Sequence, residues 1–408
     1  MPRSRSINQD DLRNHNLSVV LKTLLQSRTP LSRAQLAKQT GLTKATMSLL
    51  SEILLGNDVV EQLAPLQEST NGRPSTPLGF HAGRWAGMGM QVNTDGYGYT
   101  VLDIAGRVVM TQWVDRDMTQ STPDDVFEAL DDLVRPVEVR LKRRRYRLVG
   151  TGLALPGLIA DDRHLIMAPN LGWANLELER FAVVRRLDAD VDNEANLAAI
   201  AQIPGYAVHR AADETGLEPD DSFLYISTDI GVGGAIVRSG GVMRGDHGFG
   251  GELGHMSVDM NGPKCRCGRR GCLEMYAGRR ELVRAAGIAD GADAAAASHI
   301  DELYRRWKGG DVRTVMAIEQ ALDAMASAAV SVINMVDVST IVLGGFWSGF
   351  EEDLASKLRI RIVPQLLARY AMDVRVLDCK TVERPALYGA ACLGMRRFID
   401  RPVGYLDI

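Results

Sequence analysis

Apolar residues Leu17, Val20, Leu21, Leu24 and Leu25 recur at intervals of three and four, the repeat of a helix that buries one face. Pro30 breaks the pattern, and Ser32 followed three residues later by Gln35 is a capping-box start for a second helix. Gly41 supplies the left-handed turn that ends it, and Thr43 caps a third helix running from residue 44 to about 55. Met47, Leu50 and Leu54 fall on the buried side of that third helix. Val59-Val60-Glu61-Gln62-Leu63 and Pro77-Leu78-Gly79-Phe80 then read as two strands separated by the turn-prone Asn71-Gly72-Arg73-Pro74. Two short helices joined by a glycine turn and followed by a hairpin are a winged helix-turn-helix. The residues expected against DNA are Arg33, Thr43, Lys44, Thr46 and Ser48, with Arg73 at the wing tip suited to a minor groove. A three-helix protein-interaction module with a solvated loop is the plainer alternative, but it gives no reason for cap, turn and wing signals to follow in this order.

From Trp85 the pattern changes to alternating strands and helices. Strands are expected at 87–92, 99–103, 148–155, 222–227, 234–237 and 340–343, and helices at about 124–143, 194–203, 275–287, 311–335 and 350–369. The alanine-rich stretch 285–298 reads as more helix. This is an α/β body in two lobes behind the winged helix. The expected division is a winged-helix core at 1–64, a wing and linker at 65–83, a smaller lobe from 84–193 with 383–408, and a larger lobe at 194–382.

A chain of 408 residues is too long for one core. No run approaches the roughly 18 apolar residues of a membrane span, and no secretion signal is present, so a cytoplasmic protein with reduced thiols is expected. The net charge of −4 is unevenly spread. Residues 1–55 carry eight Lys/Arg against three Asp/Glu, a basic head on an acidic body, which points to nucleic acid at that end.

The densest chemistry lies in Glu252-x-x-His255, Cys265-x-Cys267-Gly268 and Gly271-Cys272-Leu273-Glu274. One imidazole and three thiols within eighteen residues are a complete tetrahedral set for a structural zinc ion: His255, Cys265, Cys267 and Cys272. A disulfide or a purely stiffening loop is the alternative. Glu252 and Glu274 flank the set, where a pinned loop would hold both acids against a polar ligand.

At these residues the chain resembles the ROK family, sugar-responsive repressors and sugar kinases built on the actin-like ATPase fold. Its layout is similar to the repressor branch, which includes xylose and N-acetylglucosamine repressors. Further matching segments are Leu155-Pro156-Gly157, Ala168-Pro169-Asn170-Leu171-Gly172-Trp173, Asp192-Asn193-Glu194-Ala195-Asn196 and Ile341-Val342-Leu343-Gly344-Gly345. The resemblance implies a sugar pocket between the lobes, with Asn170, Asn193, Glu194, Glu252, His255 and Glu274 as ligand residues. It also shows a departure. Family kinases open the body with an acid followed by a glycine-rich phosphate loop, where this chain has Gln91-Val92-Asn93-Thr94-Asp95. Side chains at Asn93 and Thr94 obstruct the backbone approach to phosphate that glycines permit. Glu194 stands where the kinases carry the catalytic Asp. The expectation is therefore a non-enzymatic sugar-responsive repressor. It would act as a homodimer or homotetramer on an inverted-repeat operator, with zinc as its structural metal. An active kinase with an accessory DNA domain, and a regulator controlled by a protein partner, are the alternatives.

Overall fold

The computed structural model describes residues 8–64, 76–118, 121–160, 163–209, 216–350, 353–379 and 383–408, so Arg73 lies outside the described residues. The head comprises α1 (Gln9–Gln26), β1 (Leu31–Ser32), α2 (Arg33–Thr40), α3 (Lys44–Gly56), β2 (Val60–Gln62) and β3 (Pro77–Phe80). Ser32 accepts from the Gln35 amide while the Gln35 side chain reaches back to Ser32, closing the capping box. Gly41 sits at φ +72°, and the Thr43 hydroxyl accepts from the Thr46 amide at 3.1 Å. β3 lies between β1 and β2, so the wing is a three-stranded sheet. The sequence reading took Leu31-Ser32 only as the lead into a helix, because two residues carry no alternation to detect.

The head is welded to the body. The Asn57 amide group donates to the Asp407 carbonyl and accepts from the Asp407 amide, and the Trp85 indole donates to the Asn57 carbonyl. Asn14 bonds to the Asp400 carbonyl, and Lys22 pairs with the Asp400 carboxylate at 2.6 Å. One apolar core runs without a break from Leu17 and Leu21 through Trp85 to Phe398 and Leu406.

The body begins with β4 (Trp85–Asn93), β5 (Gly96–Asp103), β6 (Val108–Asp115), α4 (Pro123–Arg143) and β7 (Arg147–Leu155). A small antiparallel sheet follows, of β8 (Leu158–Ala160), β9 (His164–Ala168) and β10 (Trp173–Glu177), then α5 (Ala182–Arg186), β11 (Asp190–Asn193) and α6 (Glu194–Ile200). The first large sheet has the order β11-β7-β4-β5-β6. The second half contains β12 (Phe223–Thr228), β13 (Val232–Arg238), β14 (Gly241–Val242), α7 (Glu274–Ala277), α8 (Arg279–Ala285), α9 (His299–Lys308), α10 (Val312–Val336), β15 (Thr340–Leu343), α11 (Asp353–Ile362), β16 (Arg375–Asp378) and α12 (Pro385–Asp400). Its sheet has the order β14-β13-β12-β15-β16. α12 returns to cover the first sheet at very short range. A Cβ on Gly89 would stand 2.3 Å from the Leu387 carbonyl, and one on Gly152 2.1 Å from that of Ala390.

Several expected elements differ. The 275–287 helix is two helices broken at Gly278, and helix ends at Ala285 rather than continuing to 298. Gly287 and Gly291 both adopt positive φ there, and their turns override the helix preference of the alanines. The 350–369 helix stops at Ile362, just before Pro364, which cannot donate a backbone hydrogen bond. The reading that no segment approaches a membrane span also needs correction. α10 is long and apolar enough to cross one by length and composition, but 67% of its apolar window is buried inside the protein. It is a core helix, packed against α11, α7 and α8.

Candidate functional site

The loop 252–274 folds as a tight knuckle. The Cys265 amide donates to the Arg269 carbonyl at 2.8 Å, and the Gly268 amide, at φ +94°, returns to the Cys265 carbonyl. A bridge between Ser257 and Cys272 holds the other end. The ligand atoms of His255, Cys265, Cys267 and Cys272 all lie within 4.8 Å of one another. Cys265 Sγ is 3.8 Å from His255 Nδ1, and Cys267 Sγ is 3.6 Å from Cys272 Sγ. A tetrahedral ion with metal–sulfur bonds of about 2.3 Å spans ligand edges of just this kind, whereas a disulfide needs about 2.05 Å. All five cysteines are free thiols. The four residues fit a closed metal site.

Beside this knuckle is a cavity of about 100 Å³ lined by residues from both halves of the body. Every ligand residue expected from the sequence lies on its wall: Asn170, Asn193, Glu194, Glu252, His255 and Glu274. Asn170 and Glu274, more than a hundred residues apart in the chain, meet over Gly231. A Cβ there would fall 2.2 Å from a Glu274 carboxylate oxygen and 3.1 Å from the Asn170 amide nitrogen. Burial raises the pKa of the Glu252 carboxyl, the nearby His255 opposes the rise, and Glu274 adds to it. Asn193 differs from the others. Its side-chain oxygen caps α6 by accepting from the Ala195 amide, and its amide nitrogen donates to the Gly157 carbonyl at 2.8 Å. Both ends of the group are thus already bonded, which makes it a brace for the pocket wall.

Glu194 separates this cavity from a second, of about 280 Å³, that continues past Gln91, Asn93 and Asp95 toward Gly345 and Phe346. Gln91 donates to the Glu194 carboxyl at 3.3 Å, yet burial, Asp229 and Asp95 push its pKa up to about 8. The Asp229 carboxyl is likewise raised to about 6, chiefly by burial. The loop expected to depart from a phosphate-binding one carries Asp95, and Asp229 lies in the turn between β12 and β13. One residue joins them. Arg279, only 2% exposed, donates to both oxygens of Asp95 at 2.8 and 3.1 Å, to Asp229 at 2.7 Å, and to the Ala295 carbonyl at 2.8 Å. The sequence reading missed Arg279, because three partners so far apart in the chain leave no local pattern.

On the head, Lys44 and Ser48 are exposed at the start of α3, while Thr46 and Arg33 are half-buried. Thr43 is exposed but is also the helix cap, its hydroxyl 2.9 Å from that of Thr46. Leu49, 55% exposed on the same helix, was not anticipated and offers an apolar contact there. A larger cavity, about 1370 Å³, is an open cleft lined by α1, α12 and residues 401–405. Three of its arginines are paired within it, Arg244 with Asp192, Arg396 with Asp400, and Arg397 with Asp190.

The ROK family model matches residues 94–397. The chain belongs to the ROK family. It is 32% identical over 270 residues to the xylose repressor of Bacillus subtilis, covering 66% of this chain and 67% of that protein. It is 25% identical over 395 residues to the xylose repressor of Caldicellulosiruptor bescii, covering 94% and 96%. Among solved structures, a ROK family transcriptional regulator described as a homologue of the E. coli MLC protein aligns with a TM-score of 0.75, 22% identity, and coverage of 96% and 98%. A ROK family glucokinase from Streptomyces griseus, in complex with glucose and AMPPNP, aligns with a TM-score of 0.61 and 24% identity, covering 76% of this chain. The fold is therefore shared with the regulator over nearly the whole of both chains, and with the kinase over 76% of this one.

Proposed function

We propose that this ROK protein is a sugar-responsive transcriptional repressor whose operator affinity is set by a sugar held between Asn170, Glu252 and Glu274. The observation that carries the reading is a winged helix docked on the same short segment that walls the pocket. Glu194 opens α6 at the cavity, and the turn after α6 ends at Gly205, where a Cβ would stand 2.3 Å from the Leu25 carbonyl of α1. A displacement of Glu194 on sugar binding therefore has one seven-residue helix to cross before it meets the head. Allostery of this kind requires the sugar to bind the two head positions with different affinity.

Carboxylates suit this task. Each accepts two hydrogen bonds from neighbouring hydroxyls, and a hydroxyl in the wrong position leaves a buried polar atom unpaired, which separates stereoisomers. His255, Cys265, Cys267 and Cys272 would hold a zinc ion, which supplies a structural cross-link. The chain's own part is to keep Glu252 and Glu274 at fixed spacing across the knuckle. Kinase activity is absent on this reading, because Asp95 and Asp229 present negative charge where phosphates would sit and Arg279 is already committed to both. The repressor acts in the cytoplasm as a symmetric oligomer, since one winged helix reads too few base pairs for useful specificity.

The test is binding of the full-length zinc-loaded protein to the DNA upstream of its own reading frame, titrated with a panel of pentoses, hexoses and N-acetylamino sugars. Specific binding that one sugar weakens supports the repressor. Specific binding indifferent to every sugar contradicts it.

A further inference from the structure

Between residues 140 and 147 the chain carries Arg140, Lys142, Arg143, Arg144, Arg145 and Arg147. Cations in the last turn of α4 complement the helix dipole, which accounts for Arg140, Lys142 and Arg143. It does not account for the three arginines beyond the helix, nor for two more brought in by other segments. Arg84, on the link from β3 to β4, donates to the Arg145 carbonyl at 3.4 Å and accepts at its own carbonyl from the Arg147 amide at 2.7 Å. Arg107 arrives from the turn between β5 and β6, and with Arg144 it lies close enough to Tyr146 to act on its hydroxyl. All of these except Arg84 and Arg147 are exposed. Among the described residues none of the eight has a carboxylate partner, whereas Arg163, Arg180 and Arg186 elsewhere on the same lobe are each paired. Two acids lie beside the patch and both are engaged elsewhere: Asp103 is buried and accepts from the Gly83 and Arg107 amides, and Glu138 on α4 pairs with Arg186. Unneutralised like charges repel, so a polyanion gains from binding here.

The position narrows the choice of polyanion. The Arg147 guanidinium lies 4.7 Å from the centre of the Trp85 ring, and the same indole donates to the Asn57 carbonyl at the end of α3. The patch thus begins one side chain from the end of the third helix and at the root of the wing. We propose that this surface is a second DNA contact, holding the phosphate backbone of the duplex that flanks the segment engaged by the winged helix. The proposal rests on the winged helix being the DNA-binding head. Phosphate contacts of this type add affinity without sequence preference and make binding steeply dependent on salt.

The experiment measures binding of the full chain to a random-sequence duplex of about 40 base pairs across a salt series, long enough to extend past one head. It compares native protein with the fourfold variant Lys142→Gln, Arg143→Gln, Arg144→Gln, Arg145→Gln and with Lys44→Gln in α3. Each lost phosphate contact lowers the slope of log K against log salt by about 0.9, so the fourfold variant is expected to lose about 2–4 from the slope. The pair Arg107→Gln, Arg140→Gln, which leaves the residues of the fourfold variant intact, should lose about 1–2 and serves if the fourfold variant does not fold. Native slope and affinity in both variants would overturn the proposal. So would intact DNA binding by the variants with loss of binding to phosphatidylglycerol vesicles, which would assign the patch to a membrane surface. Absence of DNA binding by the native protein would overturn the DNA-binding head and this surface together.

Discussion

Arg279 donates to both carboxylate oxygens of Asp95, at 2.8 and 3.1 Å, from the opposite half of the body. Asp95 sits in the turn between β4 and β5, and Asp229, the other partner of Arg279, sits in the turn between β12 and β13. Asp95, Arg279 and Asp229 thus form an internal ion triad on the wall of the second cavity. Replacing Arg279 with Met would leave two carboxylates facing each other, and denaturant unfolding should show a loss on the order of 3 kcal/mol. Adding Asp95→Asn and Asp229→Asn should recover much of it. Equal stability of the single and triple variants would mean the triad contributes no coupling.

Glu194 gives the protein a pH dependence of definite sign. Its carboxyl titrates at about 8 in the folded chain against an ordinary value of 4.5, so the folded state holds a proton that the unfolded state has released. The resulting stability is complete below about pH 4.5 and is lost as pH rises toward 8 and beyond. Asp229, raised to about 6, acts in the same direction. Glu194→Gln should flatten the fall between pH 5 and 8 by up to about 1.4 kcal/mol per pH unit, measured by urea unfolding across that range. Parallel curves for variant and native protein would contradict the buried neutral acid.

Gly205, in the turn after α6, packs against α1 of the head. It stands at φ +65° with the Leu25 carbonyl where a side chain would begin, so Gly205→Ala both strains the turn and pushes on α1. A destabilisation of about 1–2 kcal/mol is expected. More tellingly, the sugar-induced change in operator affinity should shrink while the isolated pocket still binds sugar. A response of native size would show that the signal travels by another route, for instance through α12.

The thiol cluster predicts a linked loss. Cys265→Ser, or removal of metal by a chelator, should lower the melting temperature and abolish the sugar response together, since Glu252 and Glu274 depend on the same loop for their spacing. Induction of native size in the thiol variant would separate the metal from the pocket.

How much of this was readable in advance follows from which interactions are local. The caps at Ser32 and Thr43, the turn at Gly41 and the ligand spacing from His255 to Cys272 depend on residues a few positions apart, and the sequence shows them directly. The convergence of Asn170 with Glu274 was reachable only through family resemblance. Arg279 with Asp95 and Asp229, and Asn57 with Asp407, depend on chain crossings that no periodicity records. Alanine at 285–298 misled because propensity speaks for the segment alone, while Gly287 and Gly291 turn it.

The most direct test is reciprocity. If a sugar lowers operator affinity by some factor, operator DNA must lower sugar affinity by the same factor, because the two share one coupling free energy. Calorimetric titration of the responding sugar into the free protein and into the operator complex measures this without reference to transcription. Equal factors in the native protein, vanishing together in Asn170→Ala, are the expected result. A sugar affinity unchanged by operator would contradict the claim that the pocket controls the head.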